Sequence, residues 1–294
     1  MREIYVYING EYYLKSEAKI SVFDHGFLYG DGVFEGIRAY NGSVFKLKEH
    51  IDRLYSSAHA IMLDIPLTKK EMTKAVIETL KRNRHTTAYI RLVVSRGIGD
   101  LGLDPRKCSK STIVIITDRI KLHEKGAKEE GLKAIISWVK RDPVDATTHE
   151  VKSLNYLNSI LAKIEANNAG VDEAICLNKE GSVCEGVAEN IFIVSNGVII
   201  TPPTSTGALR GITRNVVIEE AQKLGYRTIE NEITPADLFF ADEVFFTGTA
   251  AEIVPVIEIN RRKIRDGKPG PITQELMREY LKLTRDPQEG VPIC

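Results

Sequence analysis

One lysine stands where an amine could do chemistry. Lys152 lies between Val151 and the segment Ser153-Leu154-Asn155-Tyr156, which leads into a predicted helix. Apolar neighbours would partly desolvate the ammonium group and favour the neutral amine, the form in which a lysine attacks a carbonyl carbon. Taken alone, these residues fit an ordinary solvated lysine better, so other groups must support the chemistry.

Two acidic residues and two glycine turns could supply that support. Glu185 and Glu189 lie between predicted strands. Either carboxylate could bind the protonated ring nitrogen of an aromatic cofactor, or both could simply be solvated. The segment Gly207–Thr213 runs directly into a helix, whose free N–H groups and positive dipole end suit a phosphate. The turn Thr247–Glu252 adds hydroxyls and close backbone approach, although each turn could be a plain connection.

The composition excludes several other functions. Lys plus Arg is 40 and Asp plus Glu is 40, so the net charge of zero attracts neither nucleic acid nor an anionic membrane. No apolar run reaches the roughly 18 residues of a membrane helix, no signal peptide is evident, and we expect a cytoplasmic protein. The cysteines have no C-x-x-C spacing or nearby histidines, so no metal site is predicted. They are Cys108, Cys176, Cys184 and Cys294.

The elements that must position these residues follow from turn residues and periodicity. Asn-Gly pairs at residues 9–10, 41–42 and 196–197 predict type I′ hairpins. Helices with an i, i+3, i+4 apolar pattern are predicted at 48–63, 69–83, 155–168, 212–224 and 273–284. The helix at 155–168 is expected to face the core with its large apolar residues, Leu157, Ile160, Leu161 and Ile164. Strands are predicted at 87–95, 111–117, 132–139, 173–178, 190–195, 226–231 and 242–247.

The length of 294 residues and the mixture of elements predict two domains of mixed α/β class. The charged segment 118–130 shows no periodicity and is predicted to be the linker. It would separate a smaller N-terminal domain, residues 1–117, from a larger C-terminal domain, residues 131–294.

Seven segments in one order, covering nearly the whole chain, resemble the class IV aminotransferases, and closely the branched-chain enzymes of archaeal type. This resemblance implies the two-domain architecture called fold type IV, in which the larger domain is an α/β pseudo-barrel. It also implies pyridoxal 5′-phosphate (PLP) as the cofactor. The segments are Phe23–Gly26 with Leu28–Arg38, His50–Leu54, Ala88–Arg91, Val151–Tyr156, Glu185–Gly186 with Glu189–Asn190, Gly211–Arg214 and Thr247–Glu252.

The resemblance implies a role for each matching residue. Lys152 would be the catalytic lysine that links to PLP, Glu185 would hold the pyridine nitrogen, and Tyr156 would bond the phenolic oxygen. Leu209 would pack on the ring. The phosphate would be bound by Arg53, Ile212, Thr213 and Thr249, although from spacing alone Arg53 fits an exposed ion pair with Glu49.

The substrate pocket implied by the resemblance is aromatic and suits leucine, isoleucine and valine. Its side-chain part maps onto Tyr29, Phe34, Gly36, Tyr89 and Tyr156, and the α-carboxylate would meet Thr249, Ala250 and Ala251. Arg91 is expected to bind the distal carboxylate of glutamate, with Arg38 and Arg96 as alternatives. The loop Gly99–Leu103 would bring Leu101 and Leu103 into the site of a partner subunit, which implies a homodimer as the minimal unit and a hexamer as a larger assembly.

The function that the resemblance implies is transfer of the amino group from a branched-chain L-amino acid to 2-oxoglutarate. A D-amino-acid aminotransferase is the nearest alternative, since it shares the Lys-Ser-Leu-Asn segment. That enzyme lacks the run Glu35–Arg38 and has an Arg-x-His pair where this chain has Arg106-Lys107-Cys108. A lyase of the aminodeoxychorismate type resembles the chain less at residues 35–38. A phosphate- or nucleotide-binding protein without catalysis is the alternative from another class.

Overall fold

The computed structural model describes residues 3–119, 126–147 and 149–294. They form two compact units. The first comprises Met1–Ile120, Val151–Asn155 and Thr284–Cys294, and the second comprises Lys121–Glu150 and Tyr156–Leu283. The lysine segment and the C-terminal residues thus group with the first unit. Residues 120–125 of the predicted linker lie outside the described residues, and its last residues form a short helix, so the predicted boundary stays a prediction.

The first unit is a seven-stranded antiparallel sheet covered by helices. The strand order is β16-β4-β3-β5-β6-β1-β2. Its strands are β1 (Tyr5–Ile8), β2 (Glu11–Leu14), β3 (Gly32–Tyr40), β4 (Ser43–Phe45), β5 (Ala88–Ser95), β6 (Thr112–Asp118) and β16 (Gly290–Pro292). Its helices are α1 (His25–Tyr29), α2 (Leu47–Ala60) and α3 (Lys69–Asn83).

The second unit is a mixed sheet with parallel and antiparallel pairs. The strand order is β12-β11-β10-β13-β14-β7-β8-β9, with β15 paired to β14. Its strands are β7 (Leu132–Ile136), β8 (Glu173–Leu177), β9 (Val183–Glu185), β10 (Asn190–Ser195), β11 (Val198–Thr201), β12 (Thr228–Glu230), β13 (Glu243–Gly248), β14 (Glu252–Ile259) and β15 (Arg262–Lys263). Its helices are α4 (Ala127–Glu130), α5 (Leu157–Asn168), α6 (Ile212–Lys223), α7 (Pro235–Phe240) and α8 (Pro271–Leu283).

The predicted hairpins and most predicted elements are confirmed. Each Asn-Gly pair joins two antiparallel strands, and Asn9, Asn41 and Asn196 have φ near +50°, as a type I′ turn requires. The predicted helices at 69–83 and 212–224 are α3 and α6, with bounds that agree within one residue. The mixed α/β class is therefore confirmed.

The paired strands β3 and β5 have one face in the hydrophobic core of the first unit and one face outside it. Along β5, Ala88, Ile90, Leu92 and Val94 are buried, whereas Tyr89 and Arg91 on the alternate positions are partly exposed. In the antiparallel register Arg91 pairs with Gly36 and Tyr89 with Arg38. The alternation gives one sheet face to the hydrophobic core and leaves the other for side chains that could bind a ligand.

The prediction that α5 turns its large apolar residues inward was wrong. Leu157, Ile160, Leu161 and Ile164 are between 46% and 67% exposed. The buried residues of the helix are instead Ser159, Ala162 and Ala166, on the side that packs against β8. Small side chains let a helix approach a sheet closely, so the larger ones project outward. Periodicity predicted the helix correctly but not the face that is buried.

The helix predicted at 48–63 is shorter than expected. Helix α2 ends at Ala60, and Met62 beyond it is 89% exposed. Its φ of +54° turns the chain away from the helix. None of the helices formed by the described residues combines the length and the apolarity needed to cross a bilayer.

Candidate active site

The Lys152 segment is fixed to β3 and α2 of the first unit. The carbonyl of Lys152 accepts the N–H of Phe34 at 3.0 Å, and its own N–H donates to Ser57 Oγ at 3.2 Å. Next to it, Ser153 forms an antiparallel bridge with Val33, and Leu154 donates its N–H to Gly32. The segment therefore extends the pairing of β3, and the lysine backbone has a defined position.

Lys152 and Arg91 both lie over the same aromatic ring. The Lys152 Nζ is 4.6 Å from the centroid of Phe34, and Arg91 Cζ is 4.5 Å from that centroid and 5.6 Å from that of Tyr89. A Cβ atom at Gly36 would come within 2.2 Å of Tyr89 Oη, so only glycine leaves room for this tyrosine. The structure thus gathers an amine, a guanidinium and two aromatic rings on one face of the sheet.

Arg53 is part of a buried network, and its predicted exposed pairing is wrong. Its side chain is 14% exposed, and its Nε and Nη2 donate to the two carboxylate oxygens of Glu35 at 2.7 and 2.8 Å. Glu35 Oε2 also lies 2.7 Å from His50 Nδ1. Burial alone would raise the pKa of Glu35, but the charges of Arg53 and His50 and their hydrogen bonds outweigh it and lower that pKa to about 2.

Tyr29 is tied to the loop that was predicted to reach a partner. Its hydroxyl donates to the carbonyl of Leu101 at 2.5 Å, and His25 Nε2 lies 2.8 Å from the carbonyl of Asp100. Leu101 and Leu103 are 68% and 77% exposed. Tyr29 and this loop therefore form one structural group of the first unit.

Glu185, the predicted partner of a ring nitrogen, ends β9 in the second unit and is held by three groups. Its Oε2 accepts the N–H of Leu209 at 2.9 Å and lies 3.5 Å from Asn190 Nδ2. Its Oε1 lies 3.2 Å from Arg141 Nη2. A guanidinium and two N–H donors thus hold the Glu185 carboxylate in place.

Sequence reasoning missed Arg141. Its side chain is fully buried, and besides facing Glu185 it donates to the carbonyl of Gly186, to Asn158 and to Ser159. Burial tends to lower the pKa of Arg141, but Glu185 and other acidic groups raise it overall. Because these contacts join residues up to 45 positions apart, no local pattern in the sequence could have indicated them.

His149 is a further residue beside Glu185 that was not predicted. Its Nδ1 lies 3.9 Å from Glu185 Oε1 and its Nε2 lies 3.2 Å from Asp142. Burial, together with the charge of Arg141, lowers the pKa of His149 despite the two carboxylates. The carboxylate of Glu185 is therefore surrounded by nitrogen donors from distant segments.

Glu189 is buried as deeply but has different neighbours. Its Oε2 accepts the N–H of Ala188 at 3.1 Å, and Glu173 lies close enough to repel a negative charge. Burial and Glu173 raise the pKa of Glu189 to about 8. Of the two glutamates that the sequence left open, Glu185 is therefore the one suited to bind a cation.

Three segments meet around Asn190 in the second unit. Asn190 Nδ2 donates to the carbonyl of Leu209 at 2.7 Å, and its backbone pairs with Thr247 across β10 and β13. A Cβ atom at Gly211 would come within 1.9 Å of Asn190 Oδ1, so a larger residue at this position would displace the Asn190 side chain. Asn190 thus joins the segment before α6 to the end of β13.

This meeting point has the donors that a phosphate requires. Gly211 is the N-cap of α6, and within the described residues no side-chain cap bond forms there, so the first N–H groups of the helix, near Ile212 and Thr213, could bind an anion. Thr247 Oγ1 is buried and has no hydrogen-bond partner among the described residues. Within the same described residues no group of His, Cys, Asp and Glu could hold a metal ion.

Comparison with known proteins identifies the family of this chain. The family model described as amino-transferase class IV matches residues 32–259. A protein of Methanocaldococcus jannaschii, provisionally named a branched-chain-amino-acid aminotransferase, is 57% identical over 94% of this chain and 94% of its own. The chain belongs to the class IV aminotransferases.

Two solved structures extend the comparison. The branched-chain aminotransferase of Thermoproteus uzoniensis, solved with norvaline, is 40% identical over 100% of both chains, with a TM-score of 0.93. The T.th. branched-chain amino acid aminotransferase, complexed with N-(5′-phosphopyridoxyl)-L-glutamate, is 38% identical over 98% of this chain and 97% of that chain, with a TM-score of 0.92. The fold is therefore that of the fold type IV branched-chain aminotransferases.

Proposed function

We propose that this protein is a branched-chain L-amino acid transaminase. It would transfer the amino group of leucine, isoleucine or valine to 2-oxoglutarate in a ping-pong reaction. The observation that carries this proposal is the placement of Lys152 Nζ and Arg91 over the ring of Phe34. An amine for covalent catalysis, an apolar wall and a cation for a second carboxylate then lie within one small region. Relatives named as branched-chain aminotransferases support it.

The residues present fit PLP as the cofactor. When bound, PLP would withdraw electrons from the Cα atom of the amino acid. Lys152 would hold it covalently, Glu185 would bond its ring nitrogen, Tyr156 its phenolic oxygen, and Leu209 would pack on the ring. The uncapped start of α6 and the anchored carboxylate of Glu185 are the features that match these needs. The phosphate ligands would be Arg53, Ile212, Thr213 and Thr249.

Lys152 would also move the proton at Cα of the substrate. Its backbone is fixed by Phe34 and Ser57, so the flexible part is the side chain alone. A positioned amine of this kind accepts a proton and returns it at a neighbouring atom, which is general acid–base catalysis. The backbone N–H groups of Ala250 and Ala251 would orient the α-carboxylate.

Arg91 would bind the distal carboxylate of glutamate and 2-oxoglutarate. A pocket for leucine must accept this charge in the second half-reaction, and apolar walls alone would make its desolvation costly. Of the alternatives, Arg96 is engaged by both oxygens of Asp31, at 2.8 and 3.0 Å, and by two carbonyls. Arg38 lies 4.7 Å from the ring centroid of Tyr40. The position of Arg91 beside Phe34 and Tyr89 supports it best.

A homodimer is proposed as the working form. The loop residues Leu101 and Leu103 expose large apolar side chains, and so does the outer stripe of α5, which includes Ile160 and Ile164. Apolar surface of this extent is typical of interfaces. Because Tyr29 is bonded to Leu101, any site that receives the loop from a partner would receive Tyr29 with it. Sedimentation at the mass of a single chain would reject the dimer. The cytoplasmic location stays a prediction.

The cofactor link is tested on the purified protein. Borohydride reduction followed by peptide mapping should leave a pyridoxyl label on Lys152, and Lys152→Ala should lose about 10³-fold or more in transamination. Lys140→Ala, which removes a lysine outside the proposed site, is the control and should keep its activity. A label on another lysine, or full activity of Lys152→Ala, would overturn the assignment. Assays with L- and D-leucine at equal concentration decide between the proposal and a D-amino-acid aminotransferase.

The role of Arg91 is tested by separating the half-reactions. Arg91→Met should weaken the glutamate half-reaction by about 2–4 kcal/mol, because it removes one partner of a desolvated charge pair. The leucine half-reaction should change little, since leucine brings no second charge. Single-turnover absorbance spectra measure both, and equal losses in the two would reject the dual recognition.

A further inference from the structure

We propose that Glu35 and His50 are positioning residues that fix the guanidinium of Arg53 as a ligand for the phosphate of the cofactor. The inference rests on the proposed function, because it takes Arg53 as a phosphate contact. Glu35 and His50 themselves are not proposed to touch the cofactor or the substrate.

The burial of Glu35 requires an explanation. Glu35 lies in the middle of β3, between Phe34 and Gly36, and its side chain is fully buried. Its neighbours at the alternate positions, Val33 and Ile37, belong to the hydrophobic core. A carboxylate in such a place loses its hydration, and only full pairing offsets that cost, so apolar packing would be the simpler way to fill this position.

The pairing of Glu35 restrains Arg53 in two ways. Arg53 Nε donates to Oε1 at 2.7 Å and Nη2 to Oε2 at 2.8 Å, which is a two-point contact between planar groups. One bond would fix a distance, but two parallel bonds also fix the rotation of the guanidinium plane. Glu35 therefore determines the direction in which the rest of the Arg53 fork points.

His50 restrains Glu35 in turn. Its Nδ1 lies 2.7 Å from Glu35 Oε2, so this nitrogen must carry the hydrogen. Burial lowers the pKa of His50, although the charge of Glu35 opposes the shift. The oxygen that His50 holds is the one that also accepts from Arg53 Nη2, so the carboxylate of Glu35 is fixed from two sides.

Helix geometry connects this network to Lys152. His50, Arg53 and Ser57 stand at positions i, i+3 and i+7 of α2 and thus lie on one face. Ser57 Oγ accepts the N–H of Lys152, whose carbonyl is paired to Phe34 on β3. The same helix face therefore positions both Arg53 and the backbone of Lys152. Fixing the long Arg53 side chain in advance removes an entropy cost from phosphate binding.

The test compares two ligands that differ only in the phosphate. Cofactor-depleted protein is titrated with PLP and with pyridoxal, and binding is followed by absorbance. Glu35→Gln should weaken PLP binding at least about 10-fold and leave pyridoxal binding within about 2-fold. Glu49→Gln changes an acidic residue on the exposed side of α2 and serves as the matched control; it should affect neither ligand.

His50 supplies a second, independent arm. His50→Leu removes the donor to Glu35 and should weaken PLP binding about 3- to 10-fold, whereas His50→Asn keeps an N–H near the same place and should restore most of it. If Glu35→Gln does not fold, this pair of variants decides the question. Equal losses for PLP and pyridoxal would mean that Glu35 and His50 only stabilise the fold, and the inference would be wrong.

Arg53→Met separates this inference from the proposed function. If Arg53→Met loses the preference for PLP over pyridoxal but Glu35→Gln and His50→Leu keep it, Arg53 binds phosphate without needing the network. Only the positioning inference then fails. If Arg53→Met itself keeps the preference, Arg53 is not a phosphate ligand, and that part of the proposed function fails with it.

Discussion

Glu185 and Glu189 lie four residues apart in the second unit, and both are buried, but their surroundings differ. Glu185 faces Arg141 at 3.2 Å and accepts the N–H of Leu209. Glu189 accepts one N–H, from Ala188, and is repelled by Glu173, so its pKa is raised to about 8. One glutamate therefore lies beside a cation, whereas the other lies beside a second carboxylate.

The comparison shows that burial alone does not decide what a carboxyl group can do. Both side chains are buried, and they differ in the groups that the fold brings near them: a guanidinium at Glu185 and a second carboxylate at Glu189. The difference also makes the assignment of Glu185 testable, because Glu189 is a control of the same residue type, burial and chain region.

The largest difference is expected in catalysis. Glu185→Gln should lower transamination about 10³-fold, because an amide cannot keep a ring nitrogen protonated. Glu189→Gln should stay within about 5-fold, since a neutral amide resembles the protonated acid it replaces. Steady-state assays with leucine and 2-oxoglutarate measure both. The reverse order of effects would exchange the roles of the two residues.

A smaller effect is expected from removing the cation beside Glu185. Arg141→Met should lower the free energy of unfolding by about 3 kcal/mol, since it leaves a buried carboxylate without its charge partner. In a Glu185→Gln background the same change should cost about 1–3 kcal/mol less. Urea unfolding of the four proteins gives this coupling. The control, Arg210→Met, removes an exposed guanidinium 3.7 Å from Glu150 and should change the free energy of unfolding little. Additive effects of Arg141→Met and Glu185→Gln would show that the pair is not coupled.

The smallest effect is a change of stability with pH at Glu189. Its pKa is raised in the folded state, so the folded chain keeps a proton that the unfolded chain loses above about pH 4.5. The free energy of unfolding therefore falls as the pH rises from about 4.5 to 8. Glu189→Gln should therefore match the parent near pH 4.5 and be more stable near pH 8 by on the order of 2 kcal/mol. Thermal unfolding of both proteins at the two pH values tests this. If Glu189 were ionised in the folded protein, the gain in stability of Glu189→Gln near pH 8 would be absent.

Local patterns predicted the elements well where the cause is local. Asn-Gly pairs adopt the turn that joins antiparallel strands whatever surrounds them, so the hairpins at Asn9, Asn41 and Asn196 were predictable. The capping box Thr68–Glu71 likewise begins α3 where the periodic pattern begins. For α5 the same periodicity misled, because Ala162 and Ala166 allow closer packing on the sheet than Leu161 does.

The candidate site was predictable only in part. Lys152, Glu185 and the glycine turn before α6 were open to other interpretations by residue type, and the resemblance to a family singled them out. Arg141 and His149 did not, because they reach Glu185 across 44 and 36 residues of chain, and an isolated arginine or histidine carries no signal. For Arg53, the partner four residues away suggested a surface pair, and the buried partner on β3 could not be foreseen.

The sequence by itself determined the hairpins and the helices, because each depends on residues close together in the chain. It also indicated the family, through seven segments that follow one another in one order. Only the tertiary structure decided which glutamate is held beside a guanidinium, which face of α5 is buried, and how Arg53 is oriented. These depend on charges and volumes brought together from distant segments. Protonation and packing respond to distance in space, and a sequence does not contain that distance until the chain has folded.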